Sequence, residues 1–335
     1  MKRSLHERFQ MLVMRVLARV PEPWYSWLRD VSNAITFLRR PERVAHPGGD
    51  NGLHPDRTFY VINGLAGSVG LATWYDNVLG GMKRAARKGW IPVVARGVTP
   101  FGRGGTEDER GDWYTYFAPV SPYSPDDILK FRNVVVTVPH QRVHKRWNRR
   151  EIAVRHKLSL SAPLNAQARE FVESRSRLLF PDGVDGFTGI YFRGTDYRAR
   201  DGYCPAGHPA VLEYGHFMDM VEAVLKGWGL QPGRGERLFF VTDEQEALDA
   251  FLERYPLAKY IDKPRFSIKG FHTNTPCHVP EGLTFKENNL LYLLDLYALS
   301  RCGYLVGPMN GGLMMALNLN GNRYRGVHVL DTGVN

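Results

Sequence analysis

Arg193 closes a short apolar run, Gly189-Ile190-Tyr191-Phe192, and is followed by Gly194, Thr195, Asp196 and Tyr197. An arginine at the end of a buried strand is costly unless it meets an anion or a carboxylate. In open α/β sheets, ligands bind just outside the carboxyl ends of the strands. A diphosphate would satisfy Arg193, because a guanidinium grips phosphate oxygens bidentately. A structural ion pair between Arg193 and Asp196 in an ordinary strand–helix loop would satisfy it as well. Two later segments carry related chemistry: Thr242-Asp243-Glu244 and Asn310-Gly311-Gly312-Leu313. A carboxylate suits ribose or base edges, and free N–H groups at the start of a helix at Leu313 suit phosphate. The competing readings are local. Asp243 with Glu246 three residues on fits a capping box, and Asn310-Gly311-Gly312 fits a plain turn. His208, in Gly207-His208-Pro209, is either a loop histidine or a ligand contact. Arg265 stands in a Pro-Arg-Phe turn without periodicity.

These residues need strands and helices to bring them together. Arg43 to Asp56 is rich in Pro, Gly, Asp and Asn and reads as a linker. Thr58 to Ile62 reads as a first strand. It enters a glycine-bearing loop, Asn63 to Gly70, in which Gly67 lets backbone approach a ligand. From Trp74 to Ala86 apolar residues recur at helical spacing, and Lys88-Gly89 supplies a basic last turn and a C′ glycine. Further strands are expected at Ile91–Ala95, Val134–Val138, Phe187–Phe192, Arg237–Val241, Gly303–Val306 and Val327–Leu330. Helices are expected at Glu213–Trp228, Glu244–Tyr255, Asn288–Ser300 and Leu313–Leu319. Strands alternating with helices give parallel sheets and an α/β fold. The three chemistry-bearing loops then lie at equivalent strand ends along one sheet edge.

A chain of 335 residues is comfortable for two domains. We expect a basic N-terminal extension and linker over 1–50 and two Rossmann-like domains, over 51–175 and 176–335. Hydrophobic residues make up 43% and charged residues 23% of the chain, which is ordinary for a globular protein. No stretch reaches the roughly 18 apolar residues of a membrane helix, and Met11–Val20 lacks a signal-peptide cleavage site. Three cysteines make no disulfide framework and fit a reducing cytoplasm. No residue spacing matches a common zinc pattern, so no metal is expected. The net charge of +10 is concentrated in the first 43 residues and between His140 and Lys157. Aromatic residues are not interleaved with the basic ones as a single-strand platform requires, so nucleic acid is not expected as a partner. The first 40 residues mix Trp24, Trp27 and other apolar side chains with arginines. They read as a helical extension packed on the body, or as a peripheral contact with a membrane surface.

The motifs Tyr191-Phe192-Arg193-Gly194-Thr195-Asp196-Tyr197, Val241-Thr242-Asp243-Glu244 and Leu293 to Gly307 resemble, in type and order, those of the nodulation-type and O-fucosyltransferase-like glycosyltransferases. Gly70-Leu71, Lys88 to Val94, Trp113 to Phe117, Tyr123 to Ile128 and Gly207-His208-Pro209 extend the resemblance, the first two as the family's first strand–helix unit and the last three toward a bacterial polysaccharide branch. It covers roughly residues 58–334. The family implies a GT-B architecture, a GDP-sugar donor with fucose favoured, inverting transfer, and no cofactor or metal. By resemblance, Arg193 holds the β-phosphate of the leaving diphosphate, and Gly194, Thr195 and Asp196 shape its loop. Thr242 and Asp243 contact the nucleotide, and Asn310, Gly311, Gly312 and Leu313 cradle the phosphates. Asp196, Glu244 and His208 are the candidates for general base, and Glu287 is placed to fix Arg193 or Arg265. The chain departs from the family pattern in three places. Tyr191 stands where a histidine is common, Gly194 where nodulation enzymes carry a second arginine, and Asn310-Gly311 where a serine pair is frequent. The rival readings are a polysaccharide pyruvyl transferase, a degenerate sugar-nucleotide sensor, and a basic nucleic-acid-binding protein.

Overall fold

The computed structural model describes residues 20–21, 24, 27–28, 31, 42, 44–63, 70–96, 98–99, 102–103, 111–136, 148–195, 210–269 and 278–332. They form two four-stranded sheets of mainly parallel strands. The first contains β1 (Val44–Ala45), β2 (Leu53–Ile62), β3 (Ile91–Val94) and β6 (Phe131–Val136), in the order β1-β6-β2-β3. Two short strands, β4 (Val98–Thr99) and β5 (Gly102–Arg103), pair only with each other. The second sheet contains β7 (Thr188–Tyr191), β8 (Leu238–Val241), β9 (Tyr304–Pro308) and β10 (Gly326–Leu330), in the order β10-β9-β7-β8. All its neighbouring strands are parallel. Only the two-residue β1 runs antiparallel in the first sheet.

Seven helices of eight or more residues are described: α1 (Leu71–Lys88), α2 (Arg149–Leu160), α3 (Ala166–Leu179), α4 (Tyr214–Gly227), α5 (Gln245–Arg254), α6 (Phe285–Leu299) and α7 (Gly311–Asn320). The parallel α/β fold read from the alternation of elements is what the chain adopts. Helix α1 stops where the sequence says it should: Gly89 is left-handed at φ 68° and donates to Ala85 O and Ala86 O. Strand β2 starts earlier than its apolar run, at Leu53. Its first half carries exposed and charged residues, and its register against β6 shifts between Leu53 and Thr58. Helices α2 and α3 are not evident in the sequence. Asn148 caps α2 by accepting from the amides of Arg150 and Glu151. That helix buries only Ile152, Arg155 and Ser159, so it shows no apolar stripe.

One hydrophobic core joins the two sheets. It runs from Tyr60, Ile62, Tyr75 and Leu79 through Leu313 and Leu317 to Leu299 and Leu305. The bridge is α7, apolar on nearly every side, which packs against α1, α2 and α6, while α3 packs on α6. A helix buried all round is the expected state of such a sequence. A buried polar cluster reinforces this junction. Arg155 of α2 donates to Asp76 of α1, and Asn318 Nδ2 of α7 donates to the same carboxylate oxygen at 3.4 Å. Glu151 accepts from Arg155 Nε at 3.1 Å and from Lys83 at 2.8 Å. No described helix is long and apolar enough to cross a membrane.

Candidate functional site

Parallel pairing places the ends of β7, β8 and β9 side by side. Tyr191 is level with Val241, and Ile190 with Val306. The residues that follow, Phe192-Arg193-Gly194-Thr195, Thr242-Asp243-Glu244 and Met309-Asn310-Gly311, therefore emerge along one edge. The expected convergence of three loops is present in the geometry.

Asp243 organises the Arg193 loop. Its carboxylate accepts from the Gly194 amide at 3.3 Å and from the Thr195 hydroxyl at 2.8 Å, and lies 3.7 Å from Arg193 Nη1. The capping-box reading of Asp243 does not hold. Helix α5 has Glu244 at its N-cap without a side-chain cap, and Asp243 turns to the neighbouring strand instead. The physical reason is that three donors at the end of β7 outbid one helical amide for the carboxylate. The Thr242 hydroxyl accepts from the Glu244 amide at 3.2 Å. Glu244 is fully buried and accepts from the Tyr214 hydroxyl. Its carboxylate fills the space beside Gly194, where a β-carbon would lie 1.7 Å from Oε2.

Arg265 braces the other side. It donates to three backbone carbonyls: Thr242 at 3.3 Å, Lys263 at 3.0 Å and Ile261 at 2.6 Å. Burial pushes its pKa down, against the pull of Asp295, Asp262 and Asp243. Asp295 of α6 is buried and paired with Lys263. Burial pushes its carboxyl up, and Lys263 opposes this. Glu287 does not reach Arg193 or Arg265. It closes a capping box with Thr284 at the start of α6, bonding the Thr284 amide at 2.8 Å.

Beside Arg193 lies the amino terminus of α7. Asn310 caps it, its Oδ1 accepting from the Leu313 amide at 3.1 Å. Asn310 is buried, and its Nδ2 donor has no hydrogen-bond partner. The first-turn amides of Gly311 and Gly312 have no intrahelical acceptor, by the geometry of a helix start. Gly312 rests on two hydroxyls: a β-carbon there would lie 2.4 Å from Tyr191 Oη and 2.5 Å from Tyr292 Oη. Those hydroxyls are 3.4 Å apart. Burial pushes both phenols up, and Arg193 is close enough to pull both down and Asp243 to push both up. The tyrosine pair is thus a shared floor for Arg193 and the α7 terminus. The sequence reading did not single it out. Its one local signal is Gly312, which needs a side-chain-free position above it.

The first turn of α1 meets the same place from the first sheet. Gly311 approaches Thr73, with 3.1 Å between its ideal β-carbon and Thr73 Oγ1. Helix α1 has Gly70 at its N-cap and no side-chain cap. Two helix amino termini and one arginine therefore face one region, an arrangement that favours an anion. Gly67, Asp196 and His208 lie outside the described residues. Among the described residues, no group of three His, Cys, Asp or Glu stands close enough together to hold a metal ion.

No protein-family model matches the chain. No curated protein is a significant match. Solved structures similar to it include fucosyltransferase NodZ from Bradyrhizobium (TM-score 0.47, 14% identity, 78% of this chain and 92% of that one). Another is NodZ alpha-1,6-fucosyltransferase soaked with GDP-fucose (TM-score 0.45, 14% identity, the same coverage). A third is POFUT1 in complex with GDP (TM-score 0.34, 9% identity, 82% of this chain and 74% of that one). Values this low transfer no activity to the chain.

Proposed function

We propose that the protein is a glycosyltransferase that takes a sugar, fucose favoured, from a GDP-sugar and passes it to a hydroxyl of a glycan acceptor. The observation that carries the reading is the meeting of Arg193 and the α7 amino terminus on the Tyr191–Tyr292 floor, with the first turn of α1 alongside. The order of motifs around it supports a nucleotide-sugar diphosphate as the anion. Residues 176–335 form the donor side and 51–175 the acceptor side.

In the reaction, the acceptor oxygen forms a bond to the anomeric carbon and the bond from that carbon to the diphosphate oxygen breaks. Transfer inverts the anomeric centre, and neither metal nor cofactor takes part. Negative charge grows on the leaving diphosphate, so preorganised donors are the main lever. Arg193 takes the β-phosphate. Gly311 and Gly312 offer amides, and Asn310 Nδ2 supplies a buried donor that otherwise goes unmatched. Thr195 and Asp243 hold the loop, Thr242 and Arg265 support it, and Leu313 anchors the helix start. Gly67 is counted with the donor-binding residues. Asp196 or His208 accepts the acceptor proton as general base. The buried Glu244, engaged by Tyr214, serves as a prop.

The protein acts in the cytoplasm on surface-polysaccharide or glycoconjugate intermediates, with its N-terminal segment against the inner membrane face. Trp24 and Trp27, 62% and 56% exposed on helical residues among arginines, support that contact. The test is a thermal-shift panel of nucleotides and nucleotide sugars. A true donor at about 100 times its Kd adds about 2.7 kcal/mol of stability. Stabilisation by GDP and one GDP-sugar is expected. A panel in which no guanine nucleotide shifts the transition sinks the reading.

A further inference from the structure

Arg96 stands at the carboxyl end of β3, on the ligand-facing edge of the first sheet. Its guanidinium lies 4.8 Å from the centroid of the Tyr114 ring. Nε is 3.1 Å from Asp112 Oδ2, and Nη1 is 3.5 Å from Asp126 Oδ2. Each of these partners is itself tied down. The Tyr114 hydroxyl donates to Val94 O at 2.6 Å. Asp112 caps the Trp113–Thr115 turn by accepting from the Thr115 amide at 3.1 Å. Asp126 is in the first turn of the Pro125–Lys130 segment. An arginine stacked on a ring and held by two carboxylates has little freedom left, yet 48% of its side chain remains exposed. The exposed part of this fixed guanidinium lies at the carboxyl end of a parallel strand, the edge at which ligands bind in such sheets.

A continuous set of contacts runs from Arg96 to the α7 amino terminus. Trp113, next to Tyr114, stacks on Tyr75 at 6.0 Å and meets Trp74 edge-on at 5.9 Å. Thr73, next to Trp74, abuts Gly311. Tyr116 accepts from Asn289 of α6 at 3.0 Å, which fixes this segment to the second half of the molecule. The Arg96 group is therefore tied through the aromatic core to the helix start beside the anion-favouring region. Their charges differ in sign. One arginine against two aspartates leaves the Arg96 group with a net charge of −1. Such a group repels a carboxylate or phosphate. It suits vicinal hydroxyls, each of which can donate to an aspartate and accept from the guanidinium.

We infer that Arg96, Asp112 and Asp126 form a subsite for neutral sugar residues that discriminates against acidic ones. The inference rests on the transferase reading only in calling that sugar the acceptor. The test is retention of the full chain, with GDP present, on a glycan array carrying neutral oligosaccharides and their uronate-containing counterparts. Neutral glycans should be retained about tenfold better than uronates, and Arg96→Ala should lower their signal about tenfold, the loss expected for one set of charge-assisted hydrogen bonds. The GDP-induced thermal shift of Arg96→Ala should match the unmodified protein. Asp126→Asn, at a largely exposed position, should relax the rejection of uronates. Preference for uronates, no retention of neutral glycans, or retention indifferent to both substitutions overturns the inference. Arg96-dependent retention without any GDP-induced shift would leave this subsite standing and remove the donor reading instead.

Discussion

Gly194 and Glu244 occupy mutually exclusive space: a β-carbon on Gly194 would stand 1.7 Å from Glu244 Oε2 and 2.7 Å from its Cδ. Glu244 has no room to retreat, because it is fully buried and bonded to Tyr214. The glycine next to Arg193 is therefore fixed by packing as well as by loop shape. A second arginine at this position is incompatible with the carboxylate as it lies.

Gly194→Ala should displace the Arg193 loop. Overpacking of this kind costs about 1–3 kcal/mol. The expected outcome is a lower melting temperature together with a GDP-induced shift reduced more than in any surface control. Gly194→Ala combined with Glu244→Ala should recover part of the melting temperature. An unchanged shift in the single variant would show that the loop tolerates a side chain.

Arg193→Ala should reduce turnover by about 100-fold or more, the scale seen when one charge-stabilising donor is lost. Asp243→Asn keeps an acceptor for the Gly194 amide but gives up the carboxylate 3.7 Å from Arg193. It should cost less turnover than Asp243→Ala, which empties the loop of its organiser. Steady-state kinetics on the three variants checks this order, and an Asp243→Ala enzyme as active as Asp243→Asn contradicts it.

What the sequence discloses here depends on how local the determining contacts are. Strands β7 and β8 were legible because both faces are buried, which writes a continuous apolar run. Arg193 and Asn310 were legible because a polar residue ends such a run. Asp243 was ambiguous: the spacing to Glu246 satisfies a capping pattern, and only the parallel neighbour β7 supplies the competing donors. Glu287 shows the converse: its sequence suits a partner for a distant arginine, and the structure engages it in a true capping box with Thr284. Helices α2 and α3 were missed because their burial falls on scattered positions, one of them Arg155. The Tyr191–Tyr292 contact spans 101 positions, so nothing near either tyrosine announces it.

The junction of the two sheets gives a stability prediction. Asp76 and Arg155 are 1% and 6% exposed, and each is the other's charge partner. Removing one partner of a buried pair leaves an uncompensated charge and costs about 3–5 kcal/mol. Arg155→Met strands Asp76 and should therefore destabilise the protein strongly, whereas Asp76→Leu should cost less, because Arg155 keeps Glu151 as a charge partner. The double substitution should be milder than the sum of the two, because no charge is stranded. Denaturant titrations of the three variants measure the coupling, and strict additivity would show that the pair does not act as a unit.

Two carboxylates set a pH dependence. Burial pushes Glu246 up, but hydrogen bonds from the Ser267 hydroxyl and the Ile268 amide outweigh this and hold its pKa below the usual range. The Thr284 amide, and then its hydroxyl, lower the Glu287 carboxyl. Both folded pKa values thus lie below the unfolded value of about 4.3. The folded state then binds fewer protons than the unfolded one in the window between them, so stability rises with pH there. The contribution is fully present above the unfolded pKa and is lost as pH falls through the folded one. Glu246→Gln and Glu287→Gln should each melt lower than the unmodified protein near neutral pH, with the difference closing on acidification below about pH 4. Parallel melting curves across that range, with a constant offset, would show that the two carboxylates carry no linked proton.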